Sequence, residues 1–148
     1  MTAITGEITT FLDAIGCGHP DPAVLDAIVL VGPRYTEQAD DDGDTFWTFA
    51  DKGAEFLYEH GVLHTVFLYV YDTDTGEDRF TAYPRQDRLI DGLPARPTRT
   101  DVQALFAQEP VRSRARWSTY AVNGKFVHFA YDDDTDDVTV ITAMLEMP

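Results

Sequence analysis

The chain has 148 residues, 44% of them hydrophobic and 12% aromatic, and a formal net charge of -15. That length suits one domain with a sizeable core, and the apolar content excludes a disordered chain despite the charge. A field this negative disfavours nucleic acids and anionic membranes as partners and favours a basic protein, although the 19 Asp and 9 Arg against 7 Glu and 2 Lys also fit solubility in a high-GC or salt-adapted organism.

The N-terminal stretch MTAITGEITTFLDAIG has no basic segment, long apolar core or cleavage site, so a cytoplasmic protein is expected. Ile8, Phe11, Leu12 and Ile15 recur at helical spacing and predict a first helix over 6–15, stopped by Gly16 and Gly18. Asp21 as N-cap and Pro22 at the first helical position open a second helix, which Gly32 and Pro33 close. A polar loop then runs through the acidic stretch Asp40, Asp41, Asp42 and Asp44. Beyond it the period changes to two, predicting strands over 45–51, 54–59, 62–72 and 79–83, joined by glycine-bearing turns into an antiparallel meander.

After a proline-bearing linker over 85–98, the scheme recurs. Thr100 is read as the cap of a helix carrying Val102, Leu105 and Phe106, which Pro110 terminates, and strands follow over 116–122, 125–131 and 138–144. Asn123 and Gly124 give the strongest hairpin signal in the chain, and a second acidic run, Asp132 to Asp137, fills the last turn. At a shift of 70 residues Trp47 superposes on Trp117 and Phe56 on Phe126, while the helices align at 77. The expectation is an α+β domain over 1–148, made of two tandem repeats at about 6–84 and 99–148. Each is one helix-plus-meander unit of three or four strands, and together they form one antiparallel sheet with helices on one face.

Helix then antiparallel meander, twice in tandem, resembles the fold of the β-lactamase inhibitor proteins and of the small outer-membrane assembly lipoproteins related to them. The second-half pattern TRTDVQALFAQEP, a Trp strand, KFVHFAYD and VTVITAM is also similar to small bacterial proteins of toxin-immunity type. The resemblance spans about 21–145 and implies protein binding, with no catalytic residue to carry over.

The residues themselves offer little chemistry. Cys17 and His19 sit two apart on a loop, a poor geometry for a nucleophile and its base. His60 and His64 flank a glycine turn without a third ligand, and His128 reads as a packing residue in a strand. DTDTGED over 72–78 lacks the frame of a calcium loop and reads as a hairpin turn. Phosphate-loop, dinucleotide, GxSxG and HExxH signatures are missing, so neither metal, cofactor nor enzymatic activity is expected.

Weight therefore falls on binding. In the strand from Val62, alternation places Phe67, Tyr69 and Tyr71 on the face opposite Val66, Leu68 and Val70, open to a partner. With Asp40, Asp41, Asp42 and Asp44 they form the expected partner-binding set, the most concrete role being an immunity-type inhibitor of a basic protein such as a toxin, acting as monomer or homodimer. The alternatives are a small-molecule-binding or enzymatic domain with a pocket between sheet and linker, or a homodimeric structural module.

Overall fold

The computed structural model describes residues 4–74, 76 and 79–147. Two helices come first, α1 (Ile8–Ala14) and α2 (Pro22–Val31). Asp21 caps α2 by accepting the Ala23 N–H at 2.9 Å, with Pro22 behind it, as the sequence predicts. The chain then lays down β1 (Thr36–Ala39), β2 (Asp44–Phe49), β3 (Ala54–Glu59) and β4 (Val62–Tyr69). A two-stranded ribbon follows, β5 (Thr73–Asp74) and β6 (Arg79–Phe80), and then a short helix α3 (Gln86–Leu89) inside the linker. The second half is α4 (Arg99–Leu105), β7 (Arg112–Arg114), β8 (Trp117–Val122), β9 (Lys125–Tyr131) and β10 (Val138–Met144).

The expected α+β architecture is present. One antiparallel sheet runs in the order β1-β2-β3-β4-β10-β9-β8-β7, so the two four-stranded halves meet at β4 and β10. Helices and linker cover one face. Ile8, Phe11, Leu12, Val24, Ala27, Val102 and Phe106 bury against Trp47, Phe49, Phe56, Leu68, Tyr120, Val127, Phe129 and Ile141 of the sheet. Two polar ties hold α1 across the halves: Glu7 receives both Arg85 contacts at 2.9 Å, and the Lys125 ammonium donates to the Leu12 carbonyl.

Several local expectations shift. Thr98, not Thr100, caps α4, through a reciprocal box in which the Asp101 N–H reaches Thr98 and the Thr98 N–H reaches the Asp101 carboxylate. The edge strands β1 and β7 lie in segments read as loop, because TEQA and RSR are short, polar and exposed along their whole length. The ungapped superposition of the tryptophans also fails. The innermost pair of the first hairpin is Phe49 with Ala54 around a four-residue loop, and that of the second is Val122 with Lys125 around Asn123-Gly124. Counting outward, Trp47 opposite Phe56 corresponds to Tyr120 opposite Val127. Each strand's true offset thus differs from 70 by an odd number, and an odd slip turns every side chain to the other face. Trp47 is buried under the helices, whereas Trp117 pairs with Ala130 on the opposite face.

Candidate functional site

The face of the sheet away from the helices is the first candidate. Paired rows cross all its central strands: Thr48, Glu55, Phe67, Thr142, His128 and Thr119 form one, and Phe46, Leu57, Thr65, Met144, Phe126 and Ala121 form the next. None of these residues belongs to the core cluster beneath the helices. The threonines are shielded by their larger neighbours, while Phe46, Leu57, Phe67, Phe126 and His128 are half-buried. Glu55 is the carboxylate of this lawn and accepts the Thr48 hydroxyl at 2.8 Å. Among the described residues, cover on this face comes from β6, whose Phe80 stacks on Tyr69 with ring centroids 4.2 Å apart.

The predicted binding residues divide. Phe67 and Tyr69 lie on this face as expected. Tyr71 does not: β4 ends at Tyr69, and Tyr71 packs beside the core with Arg96 over its ring at 4.9 Å. On one side β3 begins at Ala54, opposite Leu68, and on the other β10 takes the Val70 N–H at Thr139 beside its irregularity between Val138 and Val140, so regular pairing ends before Tyr71. Asp40, Asp41 and Asp42 lie in the exposed β1–β2 turn at one end of the sheet, and Asp44, half-buried, opens β2 opposite Glu59. Asp40 accepts the N–H groups of Asp42 and Asp44 at 2.9 and 3.0 Å, and so shapes its own turn. Asp132 does the same for Asp134 and Thr135, and these backbone bonds lower its pKa.

His64 is the second candidate. The β3–β4 register shifts between Leu57, opposite Thr65, and Tyr58, opposite Leu63, leaving His64 as the extra residue of a bulge. Its Nδ1 lies 3.0 Å from Glu59 Oε2 and 2.8 Å from Thr65 Oγ1, and its side chain is 22% exposed. The Glu59 carboxylate and the Thr65 hydroxyl thus meet the same ring nitrogen and hold the imidazole in place. Sequence reasoning passed this pair over because Glu59 and His64 are joined only through the bulge. The remaining residues stay apart. Cys17 Sγ donates to the Asp13 carbonyl at 3.6 Å, and His19 packs edge-on against Trp47. His60 sits in a left-handed turn beside Gly43, and no group of three metal-ligating side chains occurs among the described residues.

The pocket expected between sheet and linker is closed: Leu89, Ile90, Leu93 and Pro97 pack onto Ile141, leaving a void of about 10 Å³. A real cleft of about 410 Å³ lies instead between α4, the 106–110 segment and strands β7 and β8, lined among others by Arg99, Phe106, Glu109, Ser118 and Tyr120. Among the described residues, no helix is long and apolar enough to cross a membrane.

Comparison with known proteins adds three findings. No family model matches the chain. It is 31% identical over 88 residues to a protein named Endoribonuclease YbeY from Brevibacillus brevis, a match covering 60% of this chain and 50% of that protein. The chain therefore spans about half the length of the curated relative it matches. In structure it is similar to an extracellular protein containing a SCP domain from Bacillus anthracis, with a TM-score of 0.59, 10% identity, and coverage of 97% of this chain and 48% of that one, a likeness of fold. The endoribonuclease match overturns the expectation that the chain is not an enzyme. That expectation rested on missing motifs, and a contact made across a bulge, such as His64 with Glu59, leaves no motif in the sequence.

Proposed function

We propose that the chain is a recognition domain that docks a basic protein on the sheet face opposite its helices. The observation that carries this is the half-buried apolar lawn of Phe46, Leu57, Phe67, Tyr69 and Phe126, which no helix covers among the described residues. Aromatic side chains with few rotatable bonds make strong anchors. The net charge of -15, with the Asp40–Asp44 turn at one end of this face, speeds encounter with a cationic partner. An immunity-type inhibitor of a toxin is the concrete form of this reading. The test is binding to the basic product of an adjacent gene. Affinity falls as salt rises, and replacing Phe67 and Tyr69 together by alanine weakens it at least about 100-fold. A chain that binds no such product, or that occupies this face with a second copy of itself, overturns the reading.

A second reading is enzymatic and is favoured by the likeness to a protein named as an endoribonuclease. Here His64, oriented by Glu59, moves the proton, while the net negative field weakens the hold on a polyanionic substrate. Cleavage of RNA that drops at least about 100-fold in His64→Ala, with the fold intact by circular dichroism, supports it. Cleavage unchanged in that variant, or absent from the parent chain, ends it.

A further inference from the structure

The 410 Å³ cleft beside α4 belongs to neither reading, and it lies on the helix-bearing side of the sheet. Its size falls in the range of small-molecule sites. Two of its walls are built from nearly buried hydroxyl-bearing residues: Ser118 is 3% exposed and Tyr120 is 2% exposed. Ser118 Oγ is 2.5 Å from the Tyr131 hydroxyl, and Tyr120 stacks on Phe106 with centroids 3.9 Å apart, so the floor is rigid. Arg99 stands at the margin, its guanidinium over the Tyr131 ring at 4.5 Å. It donates to the Ala115 carbonyl at 2.6 Å, the Arg114 carbonyl at 2.9 Å and Ser113 Oγ at 3.4 Å. Of its five N–H groups these contacts leave two, on a cation already fixed in place. Gln103 lines the cleft one helical turn further on.

The charge that faces the cleft is Arg99, with Glu109 on its rim, in a molecule of net charge -15. Arg112 and Arg114 pair with Thr119 and Trp117 and stand on the uncovered face, and Arg116 is held by Asp133 at 2.5 Å. Asp101 is occupied in the cap of α4. In the first half the corresponding strand residue, Trp47, is instead closed over by Tyr35, stacked at 4.4 Å, and by His19 at 5.3 Å. The cleft is therefore not a requirement of the fold.

We infer that this cleft binds a small organic anion, a carboxylate carried on an apolar body: Arg99 pairs with the carboxylate, and the edges of Phe106 and Tyr120 receive the apolar part. Glu109 on the rim opposes the charge and gives the sharpest lever. Sodium benzoate, with neutral benzamide as its shape control, is titrated into the full chain and followed by amide and arginine-side-chain NMR shifts. Benzoate shifts Arg99, Ser118 and Tyr120 saturably and benzamide does not. Glu109→Gln, an exposed change that leaves the core untouched, tightens benzoate about threefold, and Arg99→Lys weakens it about tenfold. Equal shifts from benzamide, saturation at other residues, or a dissociation constant unmoved by Glu109→Gln overturns the inference. All of these outcomes are independent of partner binding on the opposite face.

Discussion

The two halves of the sheet share a plan and diverge in chemistry at matched positions. Where the first half pairs Phe46 with Leu57 on the uncovered face, the second pairs Thr119 with His128, joined by a 2.8 Å hydrogen bond. Where the first buries Trp47 beneath Tyr35, the second sets Tyr120 beneath Phe106 and keeps a cleft beside it. The stacked pair after each helix is thus the shared structural device, one aromatic following the helix and one on the strand. The divergence teaches that the halves differ in function at places that are equivalent in folding.

The loops of the two hairpins give the largest test of this equivalence. Gly53 and Gly124 both have left-handed backbones, at φ +59° and +81°. A Cβ at Gly53 would lie 2.3 Å from the Thr81 carbonyl oxygen and 2.4 Å from the Tyr83 nitrogen, whereas at Gly124 it would meet nothing within 4 Å. The clash is with backbone, because the segment after β6 runs directly over the first loop, where the Ala50 carbonyl accepts the Thr81 N–H at 2.8 Å. Gly53→Ala is expected to cost about 3 kcal/mol or more, from strain and overpacking together. Gly124→Ala is expected to cost about 1 kcal/mol from strain alone. Urea unfolding of the two variants measures the difference, and equal losses would show that the first loop is not pinned as described.

Much of this plan is legible in the sequence, and the parts that are not share a physical cause. Helix α2, with Asp21 and Pro22 at its start, and the Asn123-Gly124 hairpin are visible because cap and turn chemistry act within a few residues. The edge strands are not, since TEQA and RSR have no buried face to impose alternation. Nor is the cleft, which needs Arg99, Glu109 and Tyr120 brought together from three segments. The His64–Glu59 contact depends on a bulge, and a bulge is a property of pairing between strands rather than of either strand. The tryptophans show the same limit: a shared residue type at a constant shift suggested equivalence, and only the loop lengths reveal that they face opposite ways.

That contrast yields the second test. Trp47 is 8% exposed and packs against Tyr35 and Tyr58, so Trp47→Ala is expected to cost about 3–5 kcal/mol. Trp117 is half-buried beside His128 and Arg114 on the uncovered face, and Trp117→Ala is expected to cost less than about half as much. Thermal and urea denaturation of both variants decides the matter. Similar losses would restore the tryptophans as equivalent core residues.

The smallest expected effect concerns the matched pairs on the uncovered face. Burial lowers the pKa of His128 below its ordinary 6.5, with Thr119 on Nδ1 and the Trp117 ring beside it. The folded chain therefore holds this ring neutral at a pH where the unfolded chain already takes up a proton, and the unfolded state binds more protons in that window. Stability is fully present above about pH 6.5 and declines as pH falls through the interval down to the lower folded value, beyond which the penalty is constant. One proton limits the slope to about 1.4 kcal/mol per pH unit, and partial hydration of a half-buried ring makes it smaller. His128→Leu gives the second half the residue that the first half carries at Leu57, at the expense of the Thr119 hydrogen bond. Unfolding free energies of parent and variant between pH 7.5 and about 5 should then converge on acidification, because the parent alone loses this contribution. A constant difference across that range would mean that His128 is as accessible to protons in the folded sheet as in the open chain, and that the two halves do not differ there in the way the second half's part-buried Thr119–His128 hydrogen bond implies.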